Sequence, residues 1–276
     1  MNPHASNSVS PAHLVRSLLQ HRQLLGKLIW RDVIGRYRGS LMGLMWSFVH
    51  PLVMLIIYTF VFSVVFKARW NIGEDEPRAL FALVLFVGLM LHGLIAEILN
   101  RSPAAIINNV NYVKKIVFPL ELLPVVILGG ALFHLAISFG VLILVIALLG
   151  MPLHSSIFLF PVVLLPMLPL ILGIGWGLAA LGVFVRDIGQ LMGIVTTMLL
   201  FLSPIFFPIE ALPGPYQVVL RLNPLTLIIE QARGVLLWGE MPDWPWLALY
   251  MVLSLGVCWL GFAAFQKLRK GFADVL

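Results

Sequence analysis

The side chains able to do chemistry in this sequence are few, and several stand in apolar surroundings. His50, His92, Glu97 and His134 fall inside long apolar runs. A charged side chain at the centre of a bilayer costs about 2.5–3.5 kcal/mol on insertion scales, so Glu97 has to be paired, functional or close to an interface. Arg101 follows it at i+4, and two readings are open: an interfacial ion pair, or a contact for a substrate or partner. The three histidines stand on three different runs and read singly as neutral rings bonded within their helices. His50 also precedes Pro51, where a kink is expected. Arg31, Arg36 and Arg38 gather just before the first apolar run. Arginine offers a planar fork of donors that suits phosphate, so the trio reads either as a recognition site for an anionic head group or as charge that sets topology.

Several chemistries have no residues to perform them. There is no G-x-x-x-x-G-K-[ST] loop to cradle ATP, no H-E-x-x-H, no C-x-x-C and no carboxylate pair at metal spacing. A file of intramembrane carboxylates, which a proton-driven transporter needs, is missing too. The expectation is a chain that is no enzyme, binds no cofactor or metal, and carries no motor of its own.

The elements that position these residues follow from composition. Hydrophobic residues make up 61% of the 276 and charged residues 11%; soluble domains carry about 45–50% and about 25%. Mean hydropathy is +1.01. The solvent for most of this chain is lipid, and the net charge of +6, which in a soluble protein would hint at nucleic acid, here follows topology, with no nucleic-acid partner expected. Runs over 41–66, 79–99, 122–149, 157–185, 191–209 and 244–265 approach or exceed the ~20 residues that cross a bilayer. The fifth is the shortest and is broken by Pro204 and Pro208. The expected fold class is an all-α polytopic membrane protein with six transmembrane helices. The first apolar run begins near Leu41, too far in for a signal-peptide core. With the N-terminus inside, thirteen of the 18 Lys and Arg fall on the inner side, which places both termini in the cytoplasm.

Three flanking segments complete the plan. Ser10-Pro11 opens a basic amphipathic helix in the inner interface, with Leu14, Leu18 and Leu25 at helical spacing. The loop RSPAAIINNVNYVKKIVFPLELLP holds a short amphipathic helix over 106–113 between Pro103 and Pro119. It reads equally as a docking element for a soluble motor, through Ile106, Asn109, Val110 and Lys114, or as a helix resting on membrane. Beyond the fifth run, SPIFFP leads into a proline-rich segment and a short re-entrant outer hairpin over 225–238. Irregular backbone at membrane depth is tolerated only against protein or along a cavity. The chain thus reads as a single transmembrane domain over 1–276: a loose tail over 1–10, an interface helix over 11–38, six spans over 41–266 and a cytoplasmic tail over 267–276.

RDVIGRYRGSLMGLMWSFVHPL (31–52) resembles the approach to the first span of bacterial ABC-type polysaccharide export permeases. NNVNYVKKIVFPLELLP resembles that family's inner coupling segment, VFVRDIGQ (183–190) its turn into the fifth span, and SPIFFP followed by LNPLT, Glu230 and Arg233 its outer hairpin. The resemblance implies the channel-forming subunit of an ATP-driven exporter in the bacterial inner membrane. It implies a homodimer, two copies of a separate ATPase and a lipid-linked glycan substrate moved from cytoplasm to periplasm: O-antigen first, with capsule, teichoic acid or a small lipid or drug as alternatives. On that reading Arg31, Arg36 and Arg38 form the head-group entrance. Tyr58, Phe62 and Phe66, spaced by four on one face of the first span, line the glycan path with Phe206 and Phe207, unless those rings simply pack or face lipid.

Overall fold

A computed structural model of the chain describes residues 9–65, 78–114 and 118–276; Phe66 lies outside them. All regular structure among the described residues is helical. Helix α1 (Pro11–Gln20) starts with proline in its first turn, where a missing amide donor costs nothing. It ends at His21, whose backbone leaves the helical region (φ −101°, ψ 16°) and whose ring Nδ1 lies 2.9 Å from the Ser17 carbonyl oxygen. Helix α2 (Arg22–Tyr37) resumes beyond it. The single helix expected over 11–38 is therefore two. The second does more than rest on lipid: Leu28 and Val33 are buried, and Ile29 occupies the space left by the missing side chain of Gly129.

Among the described residues, five helical segments are long and apolar enough to cross a membrane: Gly43–Phe62, Leu80–Ala104, Leu122–Leu148, Ser155–Phe184 and Trp244–Val275. They contain α3 (Trp46–Tyr58), the inner part of α4 (Arg78–Arg101), α6 (Leu122–Leu148), α7 (Phe160–Leu164) with α8 (Met167–Phe184), and α12 (Trp244–Leu268) with α13 (Phe272–Val275). Between α4 and α6 lies the short α5 (Val110–Lys114). The fifth expected span is shorter than its apolar run. Helix α9 (Ile188–Phe201) has 14 residues, about 21 Å at 1.5 Å per residue, and the backbone is irregular from Ser203 to Pro208, where Pro204 and Pro208 each remove an amide donor. Helices α10 (Gly214–Arg221) and α11 (Pro224–Arg233) follow.

Helix α4 is the central post, with Leu83, Val84, Leu85, Val87, Leu91 and Ile98 all buried. Helix α3 is the opposite: only Ser47 and Leu55 are buried on it, while Phe48, Val53, Ile56 and Phe60 are exposed. Helices α8 and α12 meet closely at Gly173 and Gly261, beside the Trp176–Phe262 ring contact. Gly182, near the end of α8, abuts Pro103, so α9 starts level with the Arg101 end of α4. The segment after α9 reaches the level of Val84, about 25 Å away along α4.

Candidate functional site

The sequence separates Asp32, Arg36, Glu97, Arg101 and His134, but three helices bring them together. Two adjacent glycines make the meeting possible: a Cβ at Gly130 would stand 2.8 Å from an Asp32 carboxylate oxygen and 3.3 Å from an Arg36 nitrogen. Arg101 grips Asp32 with both terminal nitrogens, at 2.6 and 3.0 Å, and donates to Glu97 at 2.9 Å. Arg36 donates to Glu97 and, at 3.4 Å, to Asp32. His134 lies against Glu97 through Nδ1 (3.3 Å) and against the Tyr37 hydroxyl through Nε2 (3.0 Å). Burial pushes the Tyr37 phenol up, so it serves as a neutral hydrogen-bonding group. The Glu97–Arg101 pair expected from i,i+4 spacing is present, as one edge of a larger network.

This network changes what the arginine trio can do. Two guanidinium groups face two carboxylates, so Arg36 is already neutralised and orients α2. Arg31 instead donates to the uncharged Tyr112 hydroxyl at 3.1 Å, and Arg38 is exposed with no partner among the described residues. Within the trio, the uncompensated positive charge therefore belongs to Arg31 and Arg38. Asp32, which the sequence reading passed over, is the joint that holds α2 to α4. Asp32→Ala is expected to destabilise the protein by about 1.5–3 kcal/mol, the value of charge-assisted bonds in partly exposed surroundings. Arg101→Ala in the same background should cost much less than alone, and a thermal-melting double-mutant cycle measures that difference.

Beside the network, a cleft of about 520 Å3 opens between α3, α4, α6 and the end of α9. His50, His92 and His134, which the sequence scatters, all line it, together with Tyr58. They do not fit one reading. His134 is held by other helices, His92 Nε2 donates to the Thr196 carbonyl oxygen of α9 at 2.9 Å, and His50 has no hydrogen bond among the described residues. Of the two described members of the aromatic stripe, Tyr58 faces this space and Phe62 does not. A π-helical turn at Thr59–Val65 breaks the four-residue register, and Phe62 instead stacks on Phe206 (centroids 5.4 Å) and meets Phe81 (6.0 Å). Phe206 also stacks on Phe201. Phe207 is half-buried.

At the far end of α4 the irregular stretch after α9 is held by one side chain. Arg233, 2% exposed, donates to the carbonyl oxygens of Val84 (3.0 Å), Pro204 (2.6 Å) and Ile205 (3.1 Å). Asn223 caps α11 through Leu225 N–H and donates to the Leu202 carbonyl oxygen. The segment over 225–238 is thus packed on protein, with Leu225, Ile228, Ile229 and Leu236 buried.

At the near end, the segment expected as one docking helix is two 3-10 turns, Ser102–Ala104 and Ile107–Asn109, followed by α5. Ile106 is fully buried and anchors the segment. Asn109 and Val110 are half-buried, the Asn109 amide donating to the Ala105 carbonyl oxygen. Lys114, Asn108 and Asn111 are exposed. Glu121, almost fully buried, accepts from Ser17 (2.9 Å) and Arg269 (2.8 Å), so the N-terminal helix and C-terminal tail sit together at this end.

A bundle of membrane-length helices with a polar floor at one end is the architecture of a transport permease. The chain belongs to the ABC-2 type transporter family, whose model matches residues 23–237. It is 27% identical to the O-antigen export system permease protein RfbA of Myxococcus xanthus, over 95% of this chain and 98% of that one. It is 25% identical to a protein of the same name from Klebsiella pneumoniae, over 89% and 92%. It is also 25% identical to the polysialic acid transport protein KpsM of Escherichia coli, over 87% and 91%. These relatives agree with the resemblance that the four motifs gave.

Proposed function

We propose that this chain is the channel-forming subunit of an ATP-driven exporter that moves a lipid-linked polysaccharide out of the cytoplasm, O-antigen first and capsule polysaccharide as the alternative. The observation that carries this reading is the match, over more than nine-tenths of the chain, to proteins named for export of O-antigen and of capsule polysaccharide. Deleting the gene should leave lipid-linked glycan inside the cell and strip the surface glycan; unchanged surface glycan would sink the proposal.

The finer reading has α9 and the 202–208 segment make the fifth of the six crossings together, backed by Arg233. The Glu121 end is cytoplasmic, as the basic residues around it favour. Reporter fusions within 67–77 and at the C-terminus are therefore expected to report opposite sides. Two copies of the chain meet through the exposed apolar faces of α3 and α9, where Ile56, Phe60, Ile194 and Met198 stand. A separate ATPase, in two copies, docks under α5. Lys114→Glu with Asn111→Asp should lower recovery of that complex by about tenfold in pull-downs at unchanged membrane abundance. The lipid's phosphate meets Arg31 and Arg38, and the glycan passes Tyr58 and the Phe62–Phe206 pair.

A further inference from the structure

The cleft beside the charged network extends along α4 from Glu97 to Phe86, about 16 Å at 1.5 Å per residue. Its volume of about 520 Å3 falls among small-ligand sites, which run about 300–1,000 Å3. Trp46, His50 and Tyr58 form the α3 wall, His92 and Gly93 the α4 wall, and His134 the α6 wall.

Arg36, Tyr37, Ser47, Glu97, His134 and Ser138 on these walls are already bonded, but three groups nearer the middle of the cleft keep capacity to spare. His50 and the Tyr58 hydroxyl make no hydrogen bond among the described residues, and His92 uses only Nε2. A hydrocarbon chain in the cleft would cover these groups without pairing them, at a cost of about 1–3 kcal/mol each on mutational scales. Among the described residues, the one Lys or Arg lining the cleft, Arg36, already faces Asp32 and Glu97, so an anion finds no free guanidinium or ammonium there. A neutral carbohydrate satisfies both conditions. Its hydroxyls pair with imidazole and phenol, and its C–H faces rest on the rings of Trp46 and Tyr58, whose two χ angles cost little entropy to order.

We propose that this cleft, lined by one chain behind the first span, seats a short run of neutral sugar residues. The proposal rests on the reading of the chain as a glycan exporter and adds a seat distinct from the Phe62–Phe206 aromatic pair. Helix α3 forms the movable wall. It carries Pro51 and the π-helical turn and buries only two side chains, so it can shift without opening a core.

Cys258 is the one cysteine of the chain. A Cys258→Ser, Gly93→Cys chain therefore carries a single thiol in the cleft, where an added Cβ meets nothing within 4 Å. In lipid nanodiscs with its ATPase, the protein is labelled with a small methanethiosulfonate. The probes are lipid-linked glycan extracted from the host, the same lipid stripped of sugar, and the free glycan. Both sugar-bearing probes are expected to slow labelling by about tenfold, and the stripped lipid to leave it unchanged. Equal protection by the stripped lipid, or protection by none, overturns the seat; Ser138→Cys repeats the measurement from α6. In cells, Gly93→Phe should cut glycan export by about tenfold at equal membrane abundance. Gly140→Phe, exposed and uncrowded on the same helix as His134, should not, and equal export from both variants overturns the seat. Failure of the unmodified chain and ATPase to export any glycan would instead remove the functional reading itself.

Discussion

Arg233→Met removes folded protein from the membrane instead of merely slowing export. Three carbonyl oxygens, of Val84, Pro204 and Ile205, take their hydrogen bonds from this one guanidinium. Two of them belong to backbone that prolines have already deprived of helical partners. A buried acceptor left unpaired costs about 1–3 kcal/mol, and more where water cannot reach it. The sum approaches the ~5–15 kcal/mol that holds a typical domain together. Arg233→Lys keeps the charge but replaces a planar fork by a single ammonium, and it should recover only part of the loss. Membrane abundance and melting temperature in detergent read the effect; an Arg233→Met protein as abundant and heat-stable as the original would show that the 203–208 segment holds itself.

The second large effect belongs to glycines at helix crossings. A Cβ on Gly261 would stand 2.0 Å from the Gly173 carbonyl oxygen, and one on Gly182 would stand 2.1 Å from the Pro103 carbonyl oxygen. Both obstacles are backbone, so no side-chain rotation relieves them. Gly261→Ala must push α12 off α8, losing the Trp176–Phe262 contact with it, and Gly182→Ala must push α8 off the turn at Ser102–Ala104. Overpacking a core costs about 1–3 kcal/mol, and these sites belong at or above the top of that range. Gly256→Ala on α12, where an added Cβ meets nothing within 4 Å, provides the contrast. It should be neutral or stabilising by up to about 1 kcal/mol through helix propensity. Melting curves that fall together for Gly256→Ala and Gly261→Ala would refute the close crossing.

Length and hydropathy show most of the membrane helices, because a bilayer demands long apolar runs and little else in the sequence produces them. The short α9 is where that logic stops. Apolar residues continue past Phe201, but Pro204 and Pro208 end the helix, and only the distant Arg233 shows how the chain goes on. The break at His21 was equally hidden, since Leu14, Leu18 and Leu25 keep helical spacing across it. At the site, the i,i+4 pair of Glu97 and Arg101 was legible because its partners share one helix. Asp32 and Glu121 were not: each is a lone carboxylate among basic or apolar neighbours, and its meaning lies in residues 69 and 148 positions away. The Gly129–Gly130 pair was the available signal for the first of these, two adjacent small residues in a span against which another helix can close. The relative facing of Tyr58 and Phe62 was not legible for a local reason: a π-helical turn at Thr59–Val65 alters the register that four-residue spacing assumes.

The central claim is that this chain forms the membrane path for a glycan driven by a separate ATPase. Its most direct test is reconstitution of the chain with that ATPase in proteoliposomes, with lipid-linked glycan in the bilayer and a membrane-impermeant glycosidase in the compartment opposite the ATPase. ATP should make the glycan cleavable there, and ATP without the permease chain should not. Glycan that stays protected in the complete system, while the ATPase hydrolyses ATP in complex with the chain, would contradict the account.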